Sequence, residues 1–415
     1  MPTPTTRILG DLVHPPELSV DEAAAVDDFQ RIIDEELTPL ARGNDERGRF
    51  PTDSVKVLKH SGILSASVPA SLGGPGRSNL FLLEIKTRIA MVDPALAQIF
   101  KTHDELVREI LVYSPDERRN RLASELLTGD IFIGLAVAEA GRTVNDPLTT
   151  IATRTADGWS VSGTKIYTTG AAESDYIALW AFDPTAATED NPLLGMAQFL
   201  VPPTEPGVTV HRDWDVLGQR ATDSGTITFE SVELADTERS NSPGHGPLPW
   251  TPVFYQIGFA AMLCGVGFGA LRTAADFVTT RSRPWPSADV DNAGDDPYVR
   301  RLIGELATDL AAAYALTMSC AKSMDDMHDS GNWFPRAPYA IPIYAAKAMA
   351  SRAAMRATSD MFALAGTRAV SSGNGWDRFW RDARTMSLHD PVDWKQAEIG
   401  HHLLRAWEPP PGIYQ

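Results

Sequence analysis

An α+β fold is predicted for this chain, with a helical N-terminal domain over residues 1–130, a central β-barrel-like domain over 131–240 and a C-terminal helical domain with a tail over 241–415. Three observations carry the prediction. Apolar residues recur at helical spacing up to Val112 and again from Pro252 to Leu404, whereas between Phe132 and Leu234 the period falls to two. Pro, Gly and Asp punctuate that middle part, as turns between short strands require.

In the first domain, Ser19-Val20-Asp21-Glu22 is a capping-box pattern ahead of Ala25, Phe29, Ile32, Ile33, Leu37 and Leu40, so a helix is expected over 19–43. Phe50-Pro51 opens a second helix with Val55, Leu58 and Leu64 on one face. Gly73-Gly74-Pro75-Gly76 is loop, and it lacks the Lys-Ser or Lys-Thr that follows a phosphate-cradling turn. Residues 81–99 and 104–112 are helical again, with a break at Asp93-Pro94 and a junction near Lys101-Thr102-His103. His103 at that junction suits a cap or a satisfied core group as well as a catalyst.

In the middle domain, residues 177–181, 196–201, 208–210 and 226–229 are expected strands. The stretch from Gly158 to Gly170 reads as a hairpin. Ala156-Asp157-Gly158 turns into a strand at 159–161, and Ser162-Gly163 turns again into 165–169. Thr168, Thr169 and Gly170 close it with two hydroxyls and a residue without a side chain. Such an end lets backbone N–H groups and a hydroxyl approach a flat ligand; a surface hairpin closed by threonines is the alternative.

The helical period of the last domain breaks near 283–297, 331–342 and 366–375. From Ser240 to Leu271 there is no Asp, Glu, Lys or Arg, and a bilayer span needs about 20 apolar residues. Pro247, Pro249, Pro252, Gln256 and the glycines from Gly258 to Gly269 indicate instead a loop followed by a buried helix. Gly265-Val266-Gly267-Phe268-Gly269 has no strand before it, so it predicts helix packing and not a dinucleotide fingerprint. His401-His402 are adjacent and point apart on a helix, and no Cys/His spacing suits zinc, so no metal is expected.

Fifty-four acidic against thirty-seven basic residues give a net charge of −17, which disfavours nucleic acid and membranes as partners. A bound phosphate then needs local arginines, and in Thr280-Arg281-Ser282-Arg283-Pro284-Trp285 two guanidiniums can serve one phosphate, a solvated turn being the alternative. Cys264 and Cys320 lie in apolar helical runs and are expected to be buried free thiols. Met-Pro-Thr-Pro-Thr-Thr-Arg at the start has no apolar core of signal-peptide type, so a cytoplasmic protein is expected.

Residues 163–171, Gly-Thr-Lys-Ile-Tyr-Thr-Thr-Gly-Ala, with Ala138-Glu139 upstream and 217–225, Leu-Gly-Gln-Arg-Ala-Thr-Asp-Ser-Gly, downstream, resemble the flavin-binding β-domain of the acyl-CoA dehydrogenase superfamily. The resemblance covers nearly the whole chain and implies an acyl-CoA dehydrogenase-like fold ending in a four-helix bundle. It implies that Thr169 bonds the flavin N5 region beside Thr168 and Gly170, that Tyr167 and Trp214 wall the site, and that Val137 and Ala138 meet the ring edge. It also implies that Arg281 and Arg283 reach the cofactor phosphate of a neighbouring subunit, hence a homotetramer or dimer. Members that bind FAD show Gly-Gly-x-Gly, whereas here Gly366-Thr367-Arg368-Ala369 keeps only the first glycine. Side chains there obstruct a pyrophosphate and place Arg368 to grip a terminal phosphate, so FMN is expected and not FAD.

The resemblance does not fix the reaction, because the fold hosts dehydrogenases and oxygenases. Where acyl-CoA dehydrogenases hold a Glu as base, this chain has His389-Asp390-Pro391. That triplet, Thr222-Asp223-Ser224-Gly225 and the tail 409–414 resemble the dibenzothiophene and dimethylsulfone monooxygenases. Those enzymes take reduced FMN from a separate flavin reductase and insert one atom of O₂ into a small organic substrate, often at sulfur. Imidazole can donate or protonate near neutral pH, so His103 and His389 are the expected catalytic residues. Leu135 departs from the polar Asn of several oxygenases. Two rival readings stand: an FAD-dependent acyl-CoA dehydrogenase with Asp390 as base, and a non-catalytic member that serves as a binding protein.

Overall fold

The computed structural model describes residues 12–142, 146–330, 334–410 and 412, so Pro411, Ile413 and Tyr414 of the expected tail motif fall outside the described residues. Helix α1 (Val20–Ile32) starts where the capping box places it, the Glu22 amide donating to the Ser19 hydroxyl at 3.3 Å. A π-helical stretch, Ile33–Leu37, joins it to α2 (Thr38–Arg47), so the helix expected over 19–43 is longer and widened in the middle. α3 (Thr52–His60) follows, with Leu64 on a separate 3₁₀ turn at Ile63–Ser65.

Helices α4 (Asn79–Ala90) and α5 (Pro94–Tyr113) meet at Asp93, whose carboxylate accepts from the Leu96 amide at 3.0 Å while Pro94 fills the first turn. No junction occurs at Lys101-Thr102-His103; α5 passes through it. None of the three residues breaks a helix, and the buried Lys101 ammonium finds Glu105 one turn on, at 2.7 Å. Helix α6 (Asp116–Leu126) completes this domain.

Among the described residues, seven strands, β1 (Ile133–Ala136), β2 (Ile151–Arg154), β3 (Gly158–Lys165), β4 (Tyr176–Phe182), β5 (Met196–Val201), β6 (Val208–Val210) and β7 (Ile227–Ala235), form one curled sheet. Their order is β1-β4-β2-β3-β7-β6, with β5 on the other side of β4. The β2–β3 hairpin turns where expected, but Ser162-Gly163 does not turn. β3 runs on through a bulge there, paired with β7, and stops at Lys165. Gly163 is required because a Cβ would lie 2.5 Å from the Thr150 Cα. β4 is apolar throughout because both its faces are covered: Ile177 and Leu179 pack into the sheet's own core, Ala178 against Leu106 and Ile110 of α5.

The last domain comprises α7 (Thr251–Thr280), α8 (Pro297–Ser330), α9 (Ala337–Ala365), α10 (Asp377–Ser387) and α11 (Val392–Arg405). α7 is long and apolar enough to cross a membrane, and here its apolar surface is buried inside the fold. Its glycines set the helix spacing: a Cβ on Gly265 or Gly269 would lie 2.2 Å from the carbonyls of Thr87 and Met91, and one on Gly267 would lie 2.3 Å from Leu310 of α8. The break expected over 331–342 ends early, since α9 resumes at Ala337 and carries Pro342 inside it. Cys264 and Cys320 are buried free thiols.

Candidate flavin and substrate site

At the end of β3, the buried Lys165 ammonium reaches Glu139 at 2.7 Å and the Val137 carbonyl at 3.1 Å. Burial would raise the Glu139 carboxyl, but Lys165 and the hydrogen bonds from Thr149 and Thr150 hold it down at about 2. The chain then leaves the sheet in a tight loop, with Tyr167 and Gly170 at φ of 66° and 68°. Tyr167 takes that left-handed conformation without being glycine, so the surrounding contacts must hold it. The Thr168 hydroxyl donates to the Gly225 carbonyl at 2.8 Å, the Gly170 amide to Thr222 at 3.1 Å, and Ser224 to the Thr169 hydroxyl at 3.1 Å.

The two motifs read separately in the sequence are thus one structure, 166–170 laced to 222–225. Within it Thr168 is buried and ties the loops together, while Thr169 stays partly exposed. Tyr167 meets Trp214 edge to face at 6.0 Å, and the Trp214 indole donates to the Gln219 carbonyl at 3.0 Å. The Gln219 amide donates to Asp382 of α10 at 2.5 Å, and burial pushes that carboxyl up to about 7. The buried side-chain amide of Gln219 has no hydrogen-bond partner among the described residues. Val137 and Ala138 are less available than expected, because their carbonyls accept from Lys165 and from the Ile166 amide at 3.0 Å.

The three arginines expected at a phosphate lie at one end of the helical domain. Arg281 and Arg283 are exposed beyond α7, and the Arg368 guanidinium donates to the Arg281 carbonyl and lies 5.3 Å from the Phe277 ring. They do not belong to the Tyr167 loop, which is fastened to β1 and to 222–225.

His103 has another task than the catalytic one expected for it. Its Nδ1 accepts from the Ile133 amide at 3.0 Å, which leaves Nε2 to donate to the Leu64 carbonyl at 2.9 Å. The ring also stacks on Phe132 at 5.4 Å, and it is fully buried. With both nitrogens engaged, it fastens α5 to β1 and to the 3₁₀ turn before the Gly-rich loop. Burial lowers its pKa from 6.5 to about 4. The unfolded chain therefore takes up the proton first, and His103 costs stability as pH falls from about 6.5 toward 4. His103→Gln is expected to flatten the fall in urea midpoint between about pH 7 and 5, and an unchanged slope would refute this role.

His389 lies in the turn between α10 and α11, where Pro391 caps the new helix. Protein packs around it, its ring 4.2 Å from Phe259 of α7, yet the residue remains exposed to solvent. Two ammoniums address the same phenyl ring: Lys101 at 4.4 Å and Lys347 at 5.6 Å. The protein packed around it first, then Lys347 and Lys101, push the His389 pKa below its ordinary value. The imidazole is thus neutral near pH 7 and can donate through its N–H. Asp390 is held by Lys347 at 3.2 Å, Lys395 at 3.6 Å and the Gln256 amide at 2.9 Å. A carboxylate so engaged is poorly placed to abstract a proton.

Sequence reasoning passed over Lys101, Glu105, Lys347 and Phe259. The available signal was a pair of charges four residues apart on an otherwise apolar helix face. α5 links the two halves of the site. Ile99 borders Gly170, His103 holds β1, and Lys101 meets Phe259.

The N-terminal, middle and C-terminal domain descriptions of the acyl-CoA dehydrogenases match residues 19–130, 134–232 and 257–394. A dibenzothiophene monooxygenase of Mycolicibacterium goodii is 33% identical over 382 residues, 89% of this chain and 91% of the relative. A Pseudomonas putida protein described as the probable FMNH2-dependent monooxygenase SfnC is 30% identical over 378 residues, 89% of this chain and 92% of the relative. The crystal structure of FMN-bound TdsC from Paenibacillus sp. A11-2 superposes with a TM-score of 0.88 at 29% identity, covering 94% of this chain and 100% of that one. Matched in all three of its parts and by a relative above 30% identity over most of its length, the chain belongs to the acyl-CoA dehydrogenase family.

Proposed function

We propose that the chain is a reduced-FMN-dependent monooxygenase acting with O₂ on a small organosulfur substrate. The observation that carries this is the place of the family's base: a neutral, solvent-accessible imidazole with an adjacent buried carboxylate already engaged by two ammoniums. That arrangement suits hydrogen-bond donation to a bound ligand, not removal of an α-proton. The oxygenase names of the relatives support the same reading.

The residues present fit FMN. Gln219 offers a buried amide without a partner among the described residues, Thr169 a partly exposed hydroxyl, and Tyr167 with Trp214 an aromatic corner. Bound reduced FMN supplies two electrons and the position at which O₂ is activated. The chain's own part is to hold the ring with these groups, to keep water out with Phe259 and the α5–α7 seam, and to present the His389 N–H. Arg281, Arg283 and Arg368 are the phosphate group's partners from a neighbouring subunit. Trp394, Leu403 and Leu404, exposed on α11, support a homotetramer or dimer. A transient flavin reductase and a cytoplasmic location complete the reading.

Turnover coupled to an unrelated NADH:FMN reductase tests it. The chain alone should not oxidise NADH, and adding the reductase should start oxygen-dependent conversion of an organic sulfide. Rapid NADH oxidation by the chain alone contradicts the proposal. Anaerobic calorimetry should show reduced FMN bound more tightly than reduced FAD, with Arg281→Ala weakening FMN roughly tenfold or more, as loss of a charge-assisted bond does. Tighter FAD binding would remove the cofactor assignment.

A further inference from the structure

Gln219 carries two local costs at one position. Its backbone sits in the left-handed region at φ of 57°, which a residue other than glycine takes only when its surroundings hold it there. Its side chain is buried, and neither the nitrogen nor the oxygen of its amide has a hydrogen-bond partner among the described residues. A polar group buried in that way has given up water without replacement, and it calls for a partner from outside the chain.

Asp382 of α10 holds the backbone. Its buried carboxyl accepts from the Gln219 amide N–H at 2.5 Å, and an oxygen there accepts whether the carboxyl is ionised or not. The two residues before Gln219 are pressed onto the same helix. A Cβ on Gly218 would lie 2.1 Å from the Arg381 carbonyl, and the Arg381 guanidinium donates to the Leu217 carbonyl at 3.1 Å. α10 therefore grips three consecutive residues, and it ends in the turn that carries His389. On its other side Gln219 belongs to the flavin loop. Its carbonyl accepts from the Trp214 indole at 3.0 Å and from the Thr222 hydroxyl at 2.8 Å. The Ser224 hydroxyl lies 2.7 Å from that of Thr222 and 3.1 Å from that of Thr169. A continuous run of hydrogen-bonding groups thus leads from Asp382 through Gln219 to Thr169, the hydroxyl expected at the flavin N5 region.

We propose that the Gln219 side-chain amide is a binding group for the isoalloxazine ring, and that Asp382 is the positioning residue that presents it. An amide offers a donor and an acceptor side by side, as the N3–H and the C4 carbonyl of the flavin ring do, so one residue can satisfy both. The inference rests on the flavin part of the reading above and not on the reaction performed. It also makes α10 the element that sets ring and imidazole relative to each other, since it holds Gln219 from its middle and His389 at its end.

Anaerobic calorimetry with reduced FMN and with reduced riboflavin, which lacks the phosphate, tests this without turnover. Gln219→Met, which keeps the bulk and removes the amide, should weaken both ligands by the same factor, roughly tenfold, because the lost contact is to the ring. The flavin-free variant should meanwhile unfold at an unchanged or higher urea midpoint, since an unpartnered buried amide has gone; a role in structure alone would lower it. Asp382→Leu should weaken both ligands to a similar extent, whereas Asp382→Asn, which keeps an oxygen acceptor, should stay within about threefold of wild type. Adding Gln219→Met to Asp382→Leu should cause little further loss, because the two residues act through one contact. Undiminished affinity or a lowered midpoint in Gln219→Met, or losses that multiply in the double variant, would overturn the proposal. A wild type that binds neither flavin would overturn the flavin reading along with it.

Discussion

His389→Ala should lower product formation roughly 10²- to 10⁴-fold, the usual contribution of a positioned acid–base group, while reduced flavin and oxygen are still consumed. The ring is positioned against Phe259, so the variant removes an oriented donor that mobile water does not replace in kind. Oxygen reduced without transfer should appear as hydrogen peroxide, and the ratio of peroxide to oxygenated product is the measurement. Because the surrounding protein and the two ammoniums hold the His389 pKa below its ordinary value of 6.5, any ionisation of this residue in wild-type activity should fall on the acid side of that value. Asp390→Asn should act more mildly, through Lys347 and Lys395, with which the carboxylate pairs. A dehydrogenase would behave in the opposite way: flavin reduction by an acyl-CoA that vanishes in Asp390→Asn would displace the oxygenase reading.

Lys165→Met should cost about 3–5 kcal/mol of folding stability, because it leaves the Glu139 carboxylate buried without its main partner. Arg142, 3.8 Å from the same carboxylate, offsets part of that loss. FMN affinity should fall with it, since Lys165 also holds the Val137 carbonyl at the start of the flavin loop. Combining Lys165→Met with Glu139→Gln should recover much of the stability, which a loss of packing alone would not. The pH dependence has a definite sign. The folded pKa of Glu139, about 2, lies below its ordinary 4.5, so its contribution is complete above about 4.5 and is lost as pH falls through 2. Urea unfolding of the three proteins at neutral and acid pH checks both claims, and equal midpoints for wild type and Lys165→Met would refute the first.

Much of the architecture was legible because it follows from local rules. The capping box at Ser19, the apolar run of β4 and β5, and the glycines of α7 each specify an element through hydrogen bonding or packing that involves a few neighbouring residues. Errors arose where a local signal competed with a distant partner. Ser162-Gly163 looked like a turn, but pairing of β3 with β7 carries the strand through it as a bulge. Lys101-Thr102-His103 looked like a helix end, but Glu105, Phe259, Ile133 and Leu64 satisfy its polar groups inside the fold.

The site divides in the same way. By itself the sequence determined the resemblance, the loop motifs at 166–170 and 217–225, the replacement of the family's base by His389, and the loss of the glycines that FAD would need. Only the tertiary structure decided what each side chain does. It engages both nitrogens of His103, locks Asp390 between two ammoniums, and gathers Lys101 and Lys347 from two helices and His389 from a turn around one phenyl ring. The physical reason is that a residue's type sets what it can donate, accept or carry as charge, whereas burial and neighbours set which of these it does. Those neighbours come from other parts of the chain, Lys101 and His389 being almost three hundred positions apart.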